Sequence, residues 1–221
     1  KTNIICNLAV ELGRRGQRVL LIDCDLGLAN VNIVMGFEAK ATLFQLLQGE
    51  ATLEEVLVEG APNVTVLPAT SGIRQMTRLT DEQFLSLSTS LDSIQRDFDI
   101  VLLDTGAGIG DNVLYFNTAA QEILVVSTPE PTSITDAYAI MKVLNTDYQV
   151  KRFELLVNRV RSRKDALKVY RYVTTVADQY LTDVSIDYFG HVVADDAVSA
   201  AVMERKTFLD AFGDSEAAGC I

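Results

Sequence analysis

Apolar positions along the chain follow two alternating patterns. Short, nearly continuous runs at residues 19–22 (VLLI), 100–103 (IVLL), 123–126 (ILVV) and 153–157 (FELLV) predict strands. A strand that is apolar on both sides of its pleat must be covered on both faces, as in a parallel sheet between helical layers. Residues 64–67 and 189–193 predict two weaker strands. Between these runs the spacing shifts to three and four. Ile4, Leu8 and Leu12 predict one helix, which Gly13 and Gly16 would end. Phe84, Leu87, Leu91 and Ile94 predict another, behind Thr80 and Asp81 as capping residues. Residues 133–144 and 162–180 predict two more. Strand alternating with helix implies right-handed crossovers, hence the α/β class: a doubly wound, mostly parallel sheet with helices on both faces. No repeat, low-complexity tract or linker interrupts the pattern, so residues 1–221 are expected to form a single domain.

Composition narrows the function. Thirty acidic residues against 19 Lys and Arg give a formal net charge of −11, which disfavours nonspecific binding of DNA or anionic lipid. No stretch of about 18 apolar residues predicts a membrane span, and no leader pattern opens the chain. Cys6, Cys24 and Cys220 lie far apart with no metal-ligand spacing, and are expected to be reduced thiols of a cytosolic protein. His191, the only histidine, sits in an apolar run and reads as a packed or partly exposed core residue.

In wound α/β sheets, ligands bind at the carboxyl ends of the strands. There the chain places Asp23, Cys24 and Asp25 after the first run, and Asp104, Thr105, Gly106, Ala107 and Gly108 after the 100–103 run. Paired carboxylates in such loops suit the water shell of Mg²⁺, and side-chain-poor backbone lets N–H groups approach a phosphate. Lys1 and Thr2 stand directly before the first predicted helix, in the order in which a phosphate-binding loop ends.

Taken together, Lys1, Thr2 and Asn3, then Asn7, Leu8 and Ala9, and the run RVLLIDCDLGLANVN at residues 18–32, resemble the start of a MinD/ParA ATPase just after its glycine-rich loop. The stretches DTGAGIGDN (104–112), TPEPTSITDAYAIMKVL (128–144) and VNRVRS (157–162) are more similar to the flagellar-number regulators of the FlhG/FleN type than to division-site MinD proteins. The resemblance implies hydrolysis of ATP to ADP with Mg²⁺. It makes Lys1 the catalytic and nucleotide-binding lysine and Thr2 a nucleotide-binding residue and metal ligand. Asp23 and Asp104 become metal residues acting through water, and Asp25 the residue that orients the attacking water. Asn158 would read the adenine, and Asn30, Gly106 and Gly108 would belong to the switch and dimer surface. Implied partners are a second copy in the ATP state and flagellar assembly proteins: an FlhF-type GTPase, C-ring proteins or a flagellar transcription activator. Membrane contact is implied only through a C-terminal amphipathic helix, and DNA is not an expected partner.

The family's glycine-rich loop, its signature lysine and the strand before them do not occur in residues 1–221. The chain is therefore expected to be a fragment of a longer protein. Two other readings stand beside the flagellar one: a partitioning ATPase, and a non-catalytic binding module. The basic stretch Arg159, Arg161, Arg163, Lys164, Lys168 and Arg171 reads as a solvated helix face, or else as a contact for an acidic protein.

Overall fold

The segment VLLIDC forms strand β1 (Val19–Cys24), with all six residues buried, as its unbroken apolar character requires. The computed structural model describes residues 1–221, except for the side chain of Gln95. It divides into two units, Lys1–Ala107 with Val198–Gly213, and Gly108–Ala197 with Asp214–Ile221.

In the first unit, helix α1 (Thr2–Arg14) leads into β1, followed by the short helices α2 (Val31–Met35), α3 (Leu43–Gln48) and α4 (Leu53–Val56). Strands β2 (Val58–Ala61) and β3 (Val64–Leu67), helix α5 (Asp81–Ile94) and strand β4 (Ile100–Thr105) complete the run. The sheet order is β2-β3-β1-β4. Strand β1 is parallel to both β3 and β4, and β2 is antiparallel to β3. Cys6 and Ala9 of α1 and Val31 and Val34 of α2 pack on Val19, Leu21, Val64 and Val66. Leu20 and Ile22, on the other side of the pleat, are buried as well.

The second unit carries helix α6 (Asp111–Ala119), strand β5 (Leu124–Ser127), helix α7 (Pro131–Tyr148), strand β6 (Arg152–Val160), helix α8 (Arg163–Tyr180) and strand β7 (Ser185–Val193). Its three strands are parallel, in the order β5-β6-β7. Phe153, Leu155 and Val157 alternate along one face of β6 and meet Met141 and Leu144 of α7 and Val169 and Val173 of α8. Helix α9 (Asp196–Met203) crosses from one unit to the other along the chain, and α10 (Phe208–Ala211) belongs to the first. Among the described residues no helix is long and apolar enough to cross a membrane.

All six predicted strands are present, and the mostly parallel pairing and helical cover agree with the expectation. Three local readings change. Gly13 does not end α1: it lies inside the helix, where a Cβ would come within 2.6 Å of the Pro62 carbonyl. The turn falls at Gly16, whose φ of +85° suits a residue without a Cβ. The buried side of α1 centres on Cys6, Ala9, Val10 and Gly13, with Leu8 and Leu12 half-buried. Strand β2 was not foreseen, because VEGA carries no apolar run; Gly60 sits where a Cβ would strike Val66 and Met35.

Candidate functional site

Because β1 and β4 pair in parallel register, Asp23 lies opposite Asp104 at their carboxyl ends. Both are buried, at 1% and 3% exposure, although an isolated buried carboxylate is costly. The Thr2 hydroxyl, at the start of α1, lies beside the Asp104 carboxylate and favours its charged form. Oxygen Oδ2 of that carboxylate is buried without a hydrogen-bond partner. Burial pushes the Asp104 carboxyl above its usual range; the Thr2 hydroxyl and the Lys1 ammonium oppose that shift, and the Asp25 charge adds to it.

Lys1 precedes α1 and folds over this end of the sheet. Its ammonium donates to the carbonyls of Thr105 (3.0 Å) and Gly106 (2.5 Å). Burial lowers its pKa, while Asp104 and Asp25 pull the other way. Gly106 lies close to Asp25: a Cβ there would come within 3.1 Å of its Oδ1. Lys1, Thr2, Asp23, Asp25, Asp104 and Gly106 are thus gathered at one end of the first unit's sheet.

Asp23 also organises the loop that follows β1. Its Oδ1 accepts from the Asp25 N–H at 3.1 Å, and its Oδ2 from the N–H groups of Asn30 and Val31, each at 3.2 Å. The last two are the cap and first residue of α2. Burial raises the Asp23 carboxyl to about 7, the neighbouring Asp104 charge adds to the rise, and the three N–H donors oppose it. Asn30 is exposed, and its amide donates to the Leu28 carbonyl at 2.5 Å.

Gly108 and Asn158 belong to the second unit. Gly108 is exposed with φ +90°, which only glycine adopts at little cost. Asn158 lies in β6 at a register shift, where its Oδ1 accepts from the Arg159 N–H at 2.8 Å and Arg159 takes φ +57°. His191 is half-buried, with Nδ1 3.1 Å from the Tyr188 hydroxyl. Arg163, Lys164, Lys168 and Arg171 line a shallow groove on α8 with Leu167; Lys168 pairs with Asp165 at 2.7 Å.

Two contacts were missed by sequence reasoning. Ser71 Oγ donates to the Ala29 carbonyl at 2.7 Å, and the Gly72 N–H donates to the Gly27 carbonyl at 3.1 Å. The rule that pointed to Asp23 and Asp104 also covers the loop after β3, where these residues stand.

Residues 1–156 match a family described as an AAA domain. The chain is 41% identical to the antiactivator FleN of Pseudomonas aeruginosa over 98% of its own length and 77% of FleN's. The chain belongs to the MinD/ParA family of P-loop ATPases. A second member, the flagellum site-determining protein YlxH of Helicobacter pylori, is 31% identical over 93% of the chain and 69% of YlxH. The fold matches that of the Pyrococcus horikoshii septum site-determining protein MinD, solved as its Mg-ADP complex, with a TM-score of 0.76 over 99% of this chain and 86% of that one, at 23% identity.

Proposed function

We propose that this protein is an ATP-hydrolysing, dimerising switch of the MinD/ParA type that regulates flagellar number or placement, with residues 1–221 serving as one cytoplasmic ATPase domain. The observation that carries the reading is the cluster at the ends of β1 and β4: a buried acceptor on Asp104 with no donor, next to a second buried aspartate, a hydroxyl and an ammonium group. A buried, acceptor-rich cluster of this kind suits a hydrated divalent cation held by one or two carboxylates. The name of YlxH, a flagellum site-determining protein, supports the flagellar assignment.

Lys1 and Thr2 would hold the β- and γ-phosphates and the Mg²⁺ ion, and Asp104 and Asp23 would hold the ion's water. When bound, Mg²⁺ neutralises negative charge on the phosphates. Asp25 would orient the attacking water, whose oxygen bonds to the γ-phosphorus as the bond to the ADP oxygen breaks. Lys1 would stabilise the charge that develops during that exchange. Asn158, its Oδ1 engaged by the Arg159 N–H, retains its amide donors for the adenine edge. Asn30, Gly106 and Gly108 would face the second copy in the ATP state.

The test is size-exclusion chromatography of the full-length protein with Mg-ATP, run beside a phosphate-release assay. A dimer that reverts to monomer as phosphate appears is expected. A protein that stays monomeric and releases no phosphate overturns the reading. A shift of duplex DNA at physiological salt would move it to the partitioning class, against the net charge of −11.

A further inference from the structure

We infer that Ser71 and Gly72 are positioning residues for Asp25, clamping the loop between β1 and α2 by its carbonyls where Asp23 holds it by its N–H groups; the inference rests on the ATPase reading above.

The clamp follows from topology. Strand β3 pairs in parallel with β1, with Ile22 opposite Leu67, so the loops that leave the two strands emerge side by side. Asp23 holds the first loop by its N–H groups, at Asp25, Asn30 and Val31. The second loop holds the same segment by its carbonyls: the Ser71 hydroxyl takes Ala29 and the Gly72 N–H takes Gly27. Leu26 and Ala29 are buried under this double grip, while Leu28 between them is 70% exposed. Gly72 has φ +78°, a conformation that presents its N–H to Gly27 and that a side chain would strain.

The second loop is itself anchored. The Leu43 N–H donates to the Pro68 carbonyl at 2.8 Å, and the hydroxyls of Thr42 and Thr70 hydrogen-bond each other. Thr42 in turn caps α3 through a reciprocal bond with Gln45. Ser71 and Gly72 therefore grip the β1–α2 loop from a support fixed to α3. Asp25 lies at the start of the gripped segment, its backbone carbonyl accepting from Leu28 at 3.1 Å and its carboxylate against Gly106. Loosening the carbonyl side leaves Asp25, Asn30 and Val31 held to Asp23 by their N–H groups and frees the residues between them, 26–29, to move. A group that must orient a water loses rate through such freedom well before it loses ligand affinity.

The experiment compares Ser71→Ala and Ser71→Thr with the parent full-length protein, measuring kcat, KM for Mg-ATP, and hydrogen exchange over residues 25–31. Partners that orient site residues are worth about 10–100-fold in activity. S71A is expected to lose about tenfold or more in kcat, with KM within about twofold and faster exchange at residues 27–30. S71T, which keeps the hydroxyl, should restore the parent rate. Parent kcat and parent exchange in S71A overturn the inference, as does an equal loss in S71T. A parent that hydrolyses no ATP defeats the ATPase reading instead, and the exchange arm then decides whether the clamp exists.

Discussion

The two ends of the β1–β4 strand pair present opposite solutions to the same problem, a carboxylate at the tip of a parallel ladder. At the amino end Asp99 is answered completely. It accepts from the Arg18 backbone N–H at 2.9 Å and from the Arg18 guanidinium at 3.2 and 2.8 Å, and these bonds, the side-chain ones foremost, pull its carboxyl down to about 2. At the carboxyl end Asp23 and Asp104 face each other under burial with no arginine, and one oxygen of Asp104 has no donor at all. A buried unpartnered acceptor costs about 1–3 kcal/mol. One end of the pair is finished as structure; the other keeps a buried acceptor open, which the proposed ligand would satisfy.

The largest expected effect breaks the carboxyl end. Asp25→Ala in the full-length protein should lower ATP hydrolysis by about 10²–10⁴-fold, the usual worth of a water-orienting group, with Mg-ATP affinity little changed. Steady-state phosphate release with calorimetric binding reads both, and parent-rate hydrolysis would reassign Asp25.

Asp104→Asn sharpens the contrast, because function and stability should move in opposite directions. Nucleotide-dependent activity should fall, while the ligand-free protein gains on the order of 1 kcal/mol. The sign follows from the raised carboxyl: the folded state disfavours the charge that the unfolded chain carries above about pH 4. The gain in melting temperature should therefore be absent below that pH and grow as pH rises. A variant less stable than the parent at neutral pH would show that Asp104 is structurally satisfied after all.

The smallest effect belongs to the amino end. Asp99→Asn should lower the melting temperature slightly and leave hydrolysis unchanged, since the pair is exposed. A carboxyl held low stabilises the fold above about pH 4 and loses that contribution as pH falls toward 2. The gap between parent and variant should close over that window; a gap that widens there contradicts the pairing.

The strands at both ends of this comparison were legible because β1 and β4 carry unbroken apolar runs, and Asp23, Asp25 and Asp104 because a strand's carboxyl end can be located from such a run. Thr80 was recognised as a cap, and its hydroxyl does accept from the Gln83 N–H. What stayed hidden depends on approach in space. Gly13 looks like a helix stop in sequence, and only the nearness of Pro62 shows that it is a packing position. Helix α2 has five residues, too few to show a period, so the capping role of Asp23 could not be read. Ser71 and Gly72 carry no charge to mark them, and they matter because β3 lies beside β1. The orphan oxygen of Asp104 is a property of burial, which no spacing records.

The central claim is that the carboxyl end of β1 and β4 is left unsatisfied for Mg²⁺ and nucleotide. Isothermal titration of ATP into the full-length protein, with and without Mg²⁺ and repeated on Asp104→Ala, tests it most directly. The account predicts saturable binding to the parent that depends on Mg²⁺, with that dependence lost in the variant. Binding of equal strength in all conditions, or none to the parent in the presence of Mg²⁺, would contradict it.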